Sequence, residues 1–185
     1  MRGAEIVSLD RESLQVTFAV RWFGILPVRG SFTEVRGQVD LSPDRGAAEV
    51  IIEARSVQTG IGLRDRHLIR QRFLAAQDHP VITFRGETRL RGEGAPDVWG
   101  VLSLRGQDLR LTGVPILIVG RDKPRARWTV DFHVPRRAHG IGVASGLARL
   151  NPLLWAIGAT VHVRVTALLP ATALLPLVPA HARGQ

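Results

Sequence analysis

Apolar and polar side chains alternate with a period of two residues along most of this 185-residue chain. This alternation restricts the fold more than any other feature of the sequence. Between Ser13 and Trp22 every even position is apolar, and the odd positions are polar or small. Successive side chains of a β-strand point to opposite faces, so the pattern predicts a strand with one buried face. Alternation or short apolar runs predict further strands over residues 35–41, 50–55, 82–90, 98–104, 109–119, 128–134 and 161–165.

One segment, residues 63–77, has a helical pattern instead. Its apolar residues recur every three or four positions: Leu68, Ile69, Phe73 and Leu74. Asp65 stands where an N-cap residue is expected, and Pro80 follows the end of the segment. We therefore expect one short α-helix between strands, capped by the Asp65 side chain and ended before the proline.

The connections between the predicted strands are mostly too short for a crossover helix, so the strands are expected to be antiparallel. Eight such strands can close into a barrel, which removes the open sheet edges and can hold one small ligand. They can also form two packed sheets whose core is filled by side chains, and the alternation does not decide between these folds. Phe32 is out of step with Val35, which predicts a β-bulge between them.

The composition excludes several classes of function. The chain contains no cysteine, which rules out a disulfide framework, thiolate catalysis and cysteine-ligated metal sites. Its formal charge of +9 comes almost wholly from arginine, since Lys123 is the single lysine. Basic residues alternate with acidic ones, as in Arg64-Asp65-Arg66, and no long basic stripe carries aromatic residues. The sequence therefore predicts a solvated basic surface and no nucleic-acid partner.

The sequence offers no combination of residues typical of catalysis. It lacks a G-x-S-x-G nucleophile motif, and we predict a protein that is not an enzyme and holds no metal or cofactor. The histidines show no spacing typical of metal ligands: His67, His79, His133, His139, His162 and His181. The first residues lack the apolar segment of a signal peptide, and no run of about 18 uncharged apolar residues occurs. A soluble, cytoplasmic protein is therefore expected.

Three segments carry sequence strings that are more specific than alternation. The first reads V-R-W-F-G over residues 20–24 and V-R-G-S-F over 28–32. The second reads S-V-Q-T-G over 56–60, R-D-R-H-L over 64–68, F-L at 73–74 and P-V-I-T-F over 80–84. The third reads G-V-L-S-L-R-G over 100–106, followed by D-F-H-V-P-R over 131–136. In this order the strings, which span about residues 13–168, resemble the YceI-like family of lipid- and polyisoprenoid-binding proteins.

The resemblance implies an all-β fold, an antiparallel eight-stranded lipocalin-like barrel with one short α-helix. It implies that the barrel binds a long-chain amphiphile, such as a polyisoprenoid, an isoprenoid quinone or a fatty acid or amide, without catalysis. Residues 1–168 would form the lipid-binding barrel, and the proline-rich residues 169–185 a flexible tail. Many members of the family are exported to the periplasm, whereas this sequence begins without a signal peptide.

The inward strand faces, together with this resemblance, predict an apolar lumen that would carry or sequester the lipid. Its expected lining is Val16, Phe18, Val20, Trp22, Val50, Ile52, Phe84, Leu102, Leu104, Trp128, Val130 and Phe132. Three residues of the family string are placed at the mouth or in a structural role: Arg64, Asp65 and His67. For Arg64 and Asp65 we favour the structural role, with contact between Arg64 and an acidic headgroup as the alternative.

Several alternatives stay open at the level of sequence. One is a core filled by side chains, in a ligand-free barrel that serves as a structural or protein-interaction module. An enzyme that acts inside the barrel is a further alternative. The apolar segment from Ile141 to Ala159 is expected to be a buried connector, a flap at the barrel mouth or a transient membrane contact. A homodimer is also compatible with the sequence.

Overall fold

The computed structural model describes residues 5–42, 45–89, 98–119, 125–142 and 157–170. The described residues form eleven β-strands, one α-helix and two 3-10 helices. The strands are β1 (Glu5–Leu9), β2 (Leu14–Trp22), β3 (Leu26–Phe32), β4 (Val35–Leu41), β5 (Arg45–Glu53), β6 (Val57–Gln58), β7 (Val81–Arg89), β8 (Val98–Leu104), β9 (Gln107–Val119), β10 (Arg125–Pro135) and β11 (Ile157–Pro170). The helices are α1 (Gly62–Leu68) and the 3-10 turns Ala54–Ser56 and Arg136–His139.

The strands follow one another in the order β1-β4-β5-β7-β8-β9-β10-β11-β2-β3-β6, and all neighbours are antiparallel. The long strand β9 joins the two halves of this arrangement. Its residues Gln107 to Gly113 pair with β8, and Val114 to Val119 pair with β10. A single strand therefore belongs to two antiparallel sheets that curve around a common interior.

The fold is all-β with one helix, as expected, but the expected closed barrel of eight strands is wrong. In the described part of the chain no ladder joins the edge strands β1 and β6. Three strands escaped the sequence pattern for local reasons. β3 contains Pro27 and Gly30, which interrupt the alternation; β1 is short with mostly exposed side chains, and β6 has only two residues.

The β-bulge expected between Phe32 and Val35 is instead a connection between two strands, because β3 ends at Phe32 and β4 begins at Val35. Main-chain hydrogen bonds hold this corner. The amide of Thr33 donates to the carbonyl of Ser56 (3.1 Å), and the amide of Glu53 donates to the carbonyl of Glu34 (3.0 Å). Phe32 and Val35 are out of step because they belong to different strands.

The expected helix is real but shorter than its apolar pattern suggested. α1 ends at Leu68, and turns follow in which the amide of Phe73 donates to the carbonyl of Arg70 (2.9 Å). Ala75 adopts φ +50 and is buried together with Ala76. Such turns can bury apolar residues at the same spacing as a helix, which explains the overlong prediction. No helix within the described ranges has the length and apolarity needed to span a bilayer.

The tightest part of the core lies on β2 and β11, where Leu14 and Leu169 are almost fully buried. β11 continues to Pro170, and its residue Leu169 packs in the core. The β-structure therefore extends beyond residue 168, the predicted end of the domain. Residues 171–185, the rest of the predicted tail, lie outside the described residues.

Candidate functional site

The interior of the fold contains a cavity of about 420 Å³. This volume falls within the range of about 300–1,000 Å³ that is common for small-molecule pockets. Aliphatic and aromatic side chains from both sheets form its wall, and α1 with the turns after it covers one end. The polar side chains along this lining, within the described residues, are those of Arg64, His67 and Arg136.

Cross-strand pairing of β2 with β11 builds one continuous apolar wall. Phe18 lies opposite Val163 in the ladder, and both side chains line the cavity. The same holds for the neighbouring inward positions: Val16 opposite Val165, and Val20 opposite Val161. The even-numbered face of β2 that the sequence identified as buried is therefore the cavity wall.

An aromatic pair forms another part of the wall. The rings of Phe84 and Phe132 have centroids 4.9 Å apart. Glycines in neighbouring strands leave the space that these rings occupy. A Cβ on Gly100 would lie 2.6 Å from Cζ of Phe84, and a Cβ on Gly113 would lie 2.7 Å from Cε1 of Phe132. These glycines are therefore required by close packing of the aromatic pair.

Ten of the twelve predicted lining residues surround the cavity: Val16, Phe18, Val20, Trp22, Val50, Ile52, Phe84, Leu102, Leu104 and Phe132. The other two, Trp128 and Val130, do not line it. Trp128 is buried in the hydrophobic core, and Val130 packs against that core. They lie on β10 before Phe132, so along this strand the cavity ends at the aromatic pair.

Of the predicted mouth residues, Arg64 and His67 line the cavity, whereas Asp65 does not. Asp65 is also not the N-cap of α1: that position is held by Ile61, which makes no side-chain cap. The Asp65 carboxylate instead accepts hydrogen bonds from the amide (2.9 Å) and the hydroxyl of Thr59. Because Asp65 is the fourth residue of the helix, its side chain reaches back to the preceding loop rather than to the first helical amides.

The neighbouring Arg64 binds the same threonine. Its Nε donates to Oγ1 of Thr59 (2.7 Å), and one terminal nitrogen donates to the Thr59 carbonyl (2.9 Å). Arg64 and Asp65 thus hold the loop that leads into α1, while part of Arg64 still faces the cavity. Of the two, only Arg64 combines a structural contact with a position beside the cavity.

Arg136 is a site residue to which the sequence assigned no role. Its side chain is 2% exposed and lines the cavity. It donates to the main-chain carbonyls of Gly158 (2.8 Å), Ile141 (2.7 Å) and Ile157 (2.9 Å). Burial lowers the pKa of this guanidinium, and the charge of Arg137 acts in the same direction. Its place at the end of D-F-H-V-P-R was visible in the sequence, but its acceptors were not.

A second cluster, formed by the partly buried Arg105 and the buried His139, lies beside the β8–β9 turn. Arg105 donates to the carbonyls of His139 and Gly140, and His139 is 1% exposed. Burial lowers the pKa of His139; the charge of Arg105 adds to this effect, while the Leu104 carbonyl and Asp108 oppose it. The net effect of this environment favours the neutral form of the imidazole.

Of the segment from Ile141 to Ala159, residues 143–156 lie outside the described residues. At its two described ends, Ile141 and Ile157 line the cavity. Buried connector, flap and membrane contact therefore stay predictions for this segment.

An antiparallel β-structure around an apolar cavity is the architecture of proteins that hold a hydrophobic small molecule. The sequence model of the YceI-like domain family matches residues 8–168, and the chain belongs to this family. The resemblance seen in the three sequence strings is thereby confirmed.

Solved structures share the fold at low sequence identity. BcnA of Burkholderia cenocepacia superposes with a TM-score of 0.73 at 17% identity, over 87% of this chain and 99% of that chain. A polyisoprenoid binding domain from Saccharophagus degradans gives a TM-score of 0.57 at 18% identity, over 91% and 99%. The Campylobacter jejuni YCEI protein gives 0.60 at 19% identity, over 79% and 86%. Comparison of the sequence with curated proteins gave no match.

Proposed function

We propose that this protein binds a long-chain apolar amphiphile in its cavity and carries or sequesters it. The observation that carries this proposal is the lining itself: a cavity of about 420 Å³ whose described walls are aliphatic and aromatic except at Arg64, His67 and Arg136. Apolar surface gains about 25 cal/mol per Å² when it leaves water. A long hydrocarbon chain can therefore be held without a charged contact.

The distribution of polar groups suggests how the ligand is oriented. Arg64 and His67 belong to α1, which covers one end of the cavity, and His67 is exposed to solvent. Phe84 on β7 and Phe132 on β10 form an aromatic pair in the cavity wall, and along β10 the cavity ends at this pair. We expect the polar headgroup beside α1 and the hydrocarbon tail against the aromatic pair.

Family membership and one structural relative support the ligand class. The Saccharophagus degradans relative is described as a polyisoprenoid binding domain. By analogy we propose a polyisoprenoid, an isoprenoid quinone or a fatty acid or amide for this chain.

The alternative of a ligand-free module is less well supported, because an unfilled apolar space lowers the stability of a fold. Large side chains such as Phe18 and Trp22 line the cavity but leave its interior empty. A bound chain would restore the missing contacts.

Organic extraction of the purified protein followed by mass spectrometry tests the proposal. A matched control is Val163→Trp, which places an indole in the cavity from the wall of β11. We expect a long-chain amphiphile in the extract of the parent protein and its depletion from the variant extract. In parallel, the parent should bind the fluorescent apolar probe N-phenyl-1-naphthylamine more tightly than Val163→Trp. No lipid in the extract, together with equal probe binding by the two proteins, would contradict the proposal.

A further inference from the structure

Large apolar side chains are exposed on two neighbouring segments of the surface. At the tip of the β2–β3 hairpin, Phe23 is 58% exposed, Ile25 81% and Leu26 60%. At the start of α1, Ile61 is 53% exposed and Leu63 59%. We call these five residues the rim patch. A cluster of exposed apolar side chains on one surface is typical of an interaction site.

The rim patch adjoins residues that line the cavity. Trp22 lines the cavity, and its indole lies 5.4 Å, centroid to centroid, from the ring of Phe23. On the other segment, Leu63 directly precedes Arg64, which also lines the cavity. β6 pairs antiparallel with β3, so the chain that leaves β6 runs toward the Leu26 end of β3 and into α1. Both parts of the patch therefore lie at the same end of the fold.

The hairpin tip presents its phenylalanine in an unfavourable conformation. The amide of Ile25 donates to the carbonyl of Trp22 (3.1 Å), and Phe23 and Gly24 have φ values of +51° and +71°. Positive φ at both central positions is typical of a type I′ turn, which favours asparagine or glycine. A phenylalanine at such a position costs conformational free energy, because its Cβ crowds the backbone. Its ring is nevertheless mostly exposed to solvent. Contact with Trp22 accounts for only part of the ring, and the exposed remainder is free to contact a partner surface.

The charge around the rim patch is predominantly positive. Residues 21–29 and 61–72 contain six arginines and one aspartate, a formal charge of +5 within a chain of +9. The single acid, Asp65, is bound by Thr59. Five arginines of these segments are exposed: Arg21, Arg29, Arg66, Arg70 and Arg72. The ion pairs between described residues all lie elsewhere in the fold.

We propose that the rim patch docks on an anionic bilayer, with its apolar tips among the acyl chains and the surrounding arginines at the lipid phosphates. Apolar burial and attraction to anionic lipids are the two contributions by which surface segments bind membranes. A second copy of the chain fits less well, because two patches of charge +5 repel each other. Docking places the α1 end of the cavity against the membrane, and this proposal goes beyond ligand binding, which does not require it.

Sedimentation with lipid vesicles tests the proposal. We expect the purified protein to sediment with vesicles of phosphatidylcholine and phosphatidylglycerol, and to stay in the supernatant with phosphatidylcholine alone or at high salt. The double variant Ile25→Ser, Leu26→Ser should lose at least about tenfold in vesicle affinity, since two apolar side chains no longer leave water. The matched control is Ile6→Ser, which changes a residue that is 68% exposed on β1 and should sediment like the parent.

A second pair of variants isolates the charge. Arg66→Gln with Arg70→Gln should weaken binding to the anionic vesicles, whereas Arg110→Gln, exposed on β9, should have a much smaller effect. Docking is overturned if the parent does not sediment with anionic vesicles, or if the hairpin variant and Ile6→Ser sediment equally. It is also overturned if size-exclusion chromatography shows a dimer that the hairpin variant dissociates. Binding of N-phenyl-1-naphthylamine, measured on the same variants, reports cavity function separately.

Discussion

Arg105 and His139 hold each other through main-chain carbonyls. A terminal nitrogen of Arg105 donates to the carbonyl of His139 (3.0 Å), and Nδ1 of His139 lies 3.2 Å from the carbonyl oxygen of Leu104, the residue before Arg105. The second terminal nitrogen of Arg105 donates to the carbonyl of Gln71 (3.0 Å). One guanidinium therefore joins the β8–β9 turn, the 3-10 helix after β10 and the turns that follow α1.

Replacement of Arg105 by alanine should destabilise the fold. The carbonyls of Gln71, His139 and Gly140 lose a charged donor, and hydrogen bonds to charged groups contribute about 1.5–3 kcal/mol each. Because the side chain is partly exposed, we expect a loss of about 2–4 kcal/mol in the free energy of unfolding by urea. The control Arg110→Ala, on the exposed face of β9, should change it by less than about 0.5 kcal/mol. Equal effects of the two variants would show that Arg105 does not join these segments.

Stability should fall as the pH falls below neutrality, in part because of His139. Burial, and then Arg105, lower the pKa of this imidazole in the folded state, while Leu104 and Asp108 act in the opposite direction. The unfolded chain keeps the ordinary pKa of 6.5 and so binds more protons than the folded chain below that pH. The contribution of the neutral His139 to the free energy of unfolding is therefore complete at pH values above the pKa of the unfolded state. It decreases as the pH falls from that value to the pKa of the folded state.

Urea unfolding over a pH series measures this contribution. His139→Gln keeps a polar side chain near the Leu104 carbonyl but does not titrate, so its stability should depend less on pH between about 7 and 5. Parallel pH profiles for the parent and the variant would contradict the assignment to His139.

An unpaired carboxylate in the cavity should abolish ligand binding. Phe18→Asp places a charge on an apolar wall, at a cost of several kcal/mol without a partner. We expect either loss of folding by circular dichroism or a folded protein that no longer binds N-phenyl-1-naphthylamine. Thr17→Asp is the matched control, because Thr17 points to the opposite face of β2, across from Arg164 in the ladder. A folded Phe18→Asp protein with the affinity of the parent would show that this face is not the binding wall.

The charges at the start of α1 should act mainly on stability. Asp65→Ala removes the acceptor for the Thr59 amide and hydroxyl and should cost about 1–3 kcal/mol. Arg64→Ala removes two donors to Thr59 and should lower the Tm of the lipid-free protein. The affinity of the folded variant for a neutral long-chain probe should stay close to that of the parent.

The alternative role of Arg64 is tested by comparing anionic with neutral probes of equal chain length. A loss of affinity confined to the anionic probe, with an unchanged Tm, would make Arg64 a headgroup ligand. Arg66→Ala, one residue beyond Asp65 and exposed, serves as the control for a general change in surface charge.

The sequence predicts a strand of this fold well when that strand has one buried face. β7 carries buried residues at alternate positions from Ile82 to Thr88, and its pattern located it closely. β3 does not, because Pro27 and Gly30 break the alternation and most of its side chains are at least partly exposed. Closure of a barrel depends on the register and tilt of all strands together, so no local pattern could show that β1 and β6 stay apart.

The candidate site shows the same division. Alternation identifies which side of a strand faces inward, as it did for Phe18 and Phe84. It does not show how far along a strand the cavity extends, so it included Trp128, which lies beyond the aromatic pair. It also overlooked Arg105 and Arg136, because their acceptors are main-chain carbonyls of distant segments. Every residue has a main-chain carbonyl, so the residue type does not show which carbonyls accept these hydrogen bonds.

The two sheets are held differently on their two sides. On one side β9 runs through both, so main-chain ladders connect the two sheets there without a break. On the other side, among the described strands, β2 and β4 meet through side chains: Cδ2 of Leu14 lies 3.2 Å from where a Cβ would stand on Gly37. Main-chain pairing therefore continues from one sheet into the other along β9, whereas the opposite side depends in addition on side-chain packing between β2 and β4.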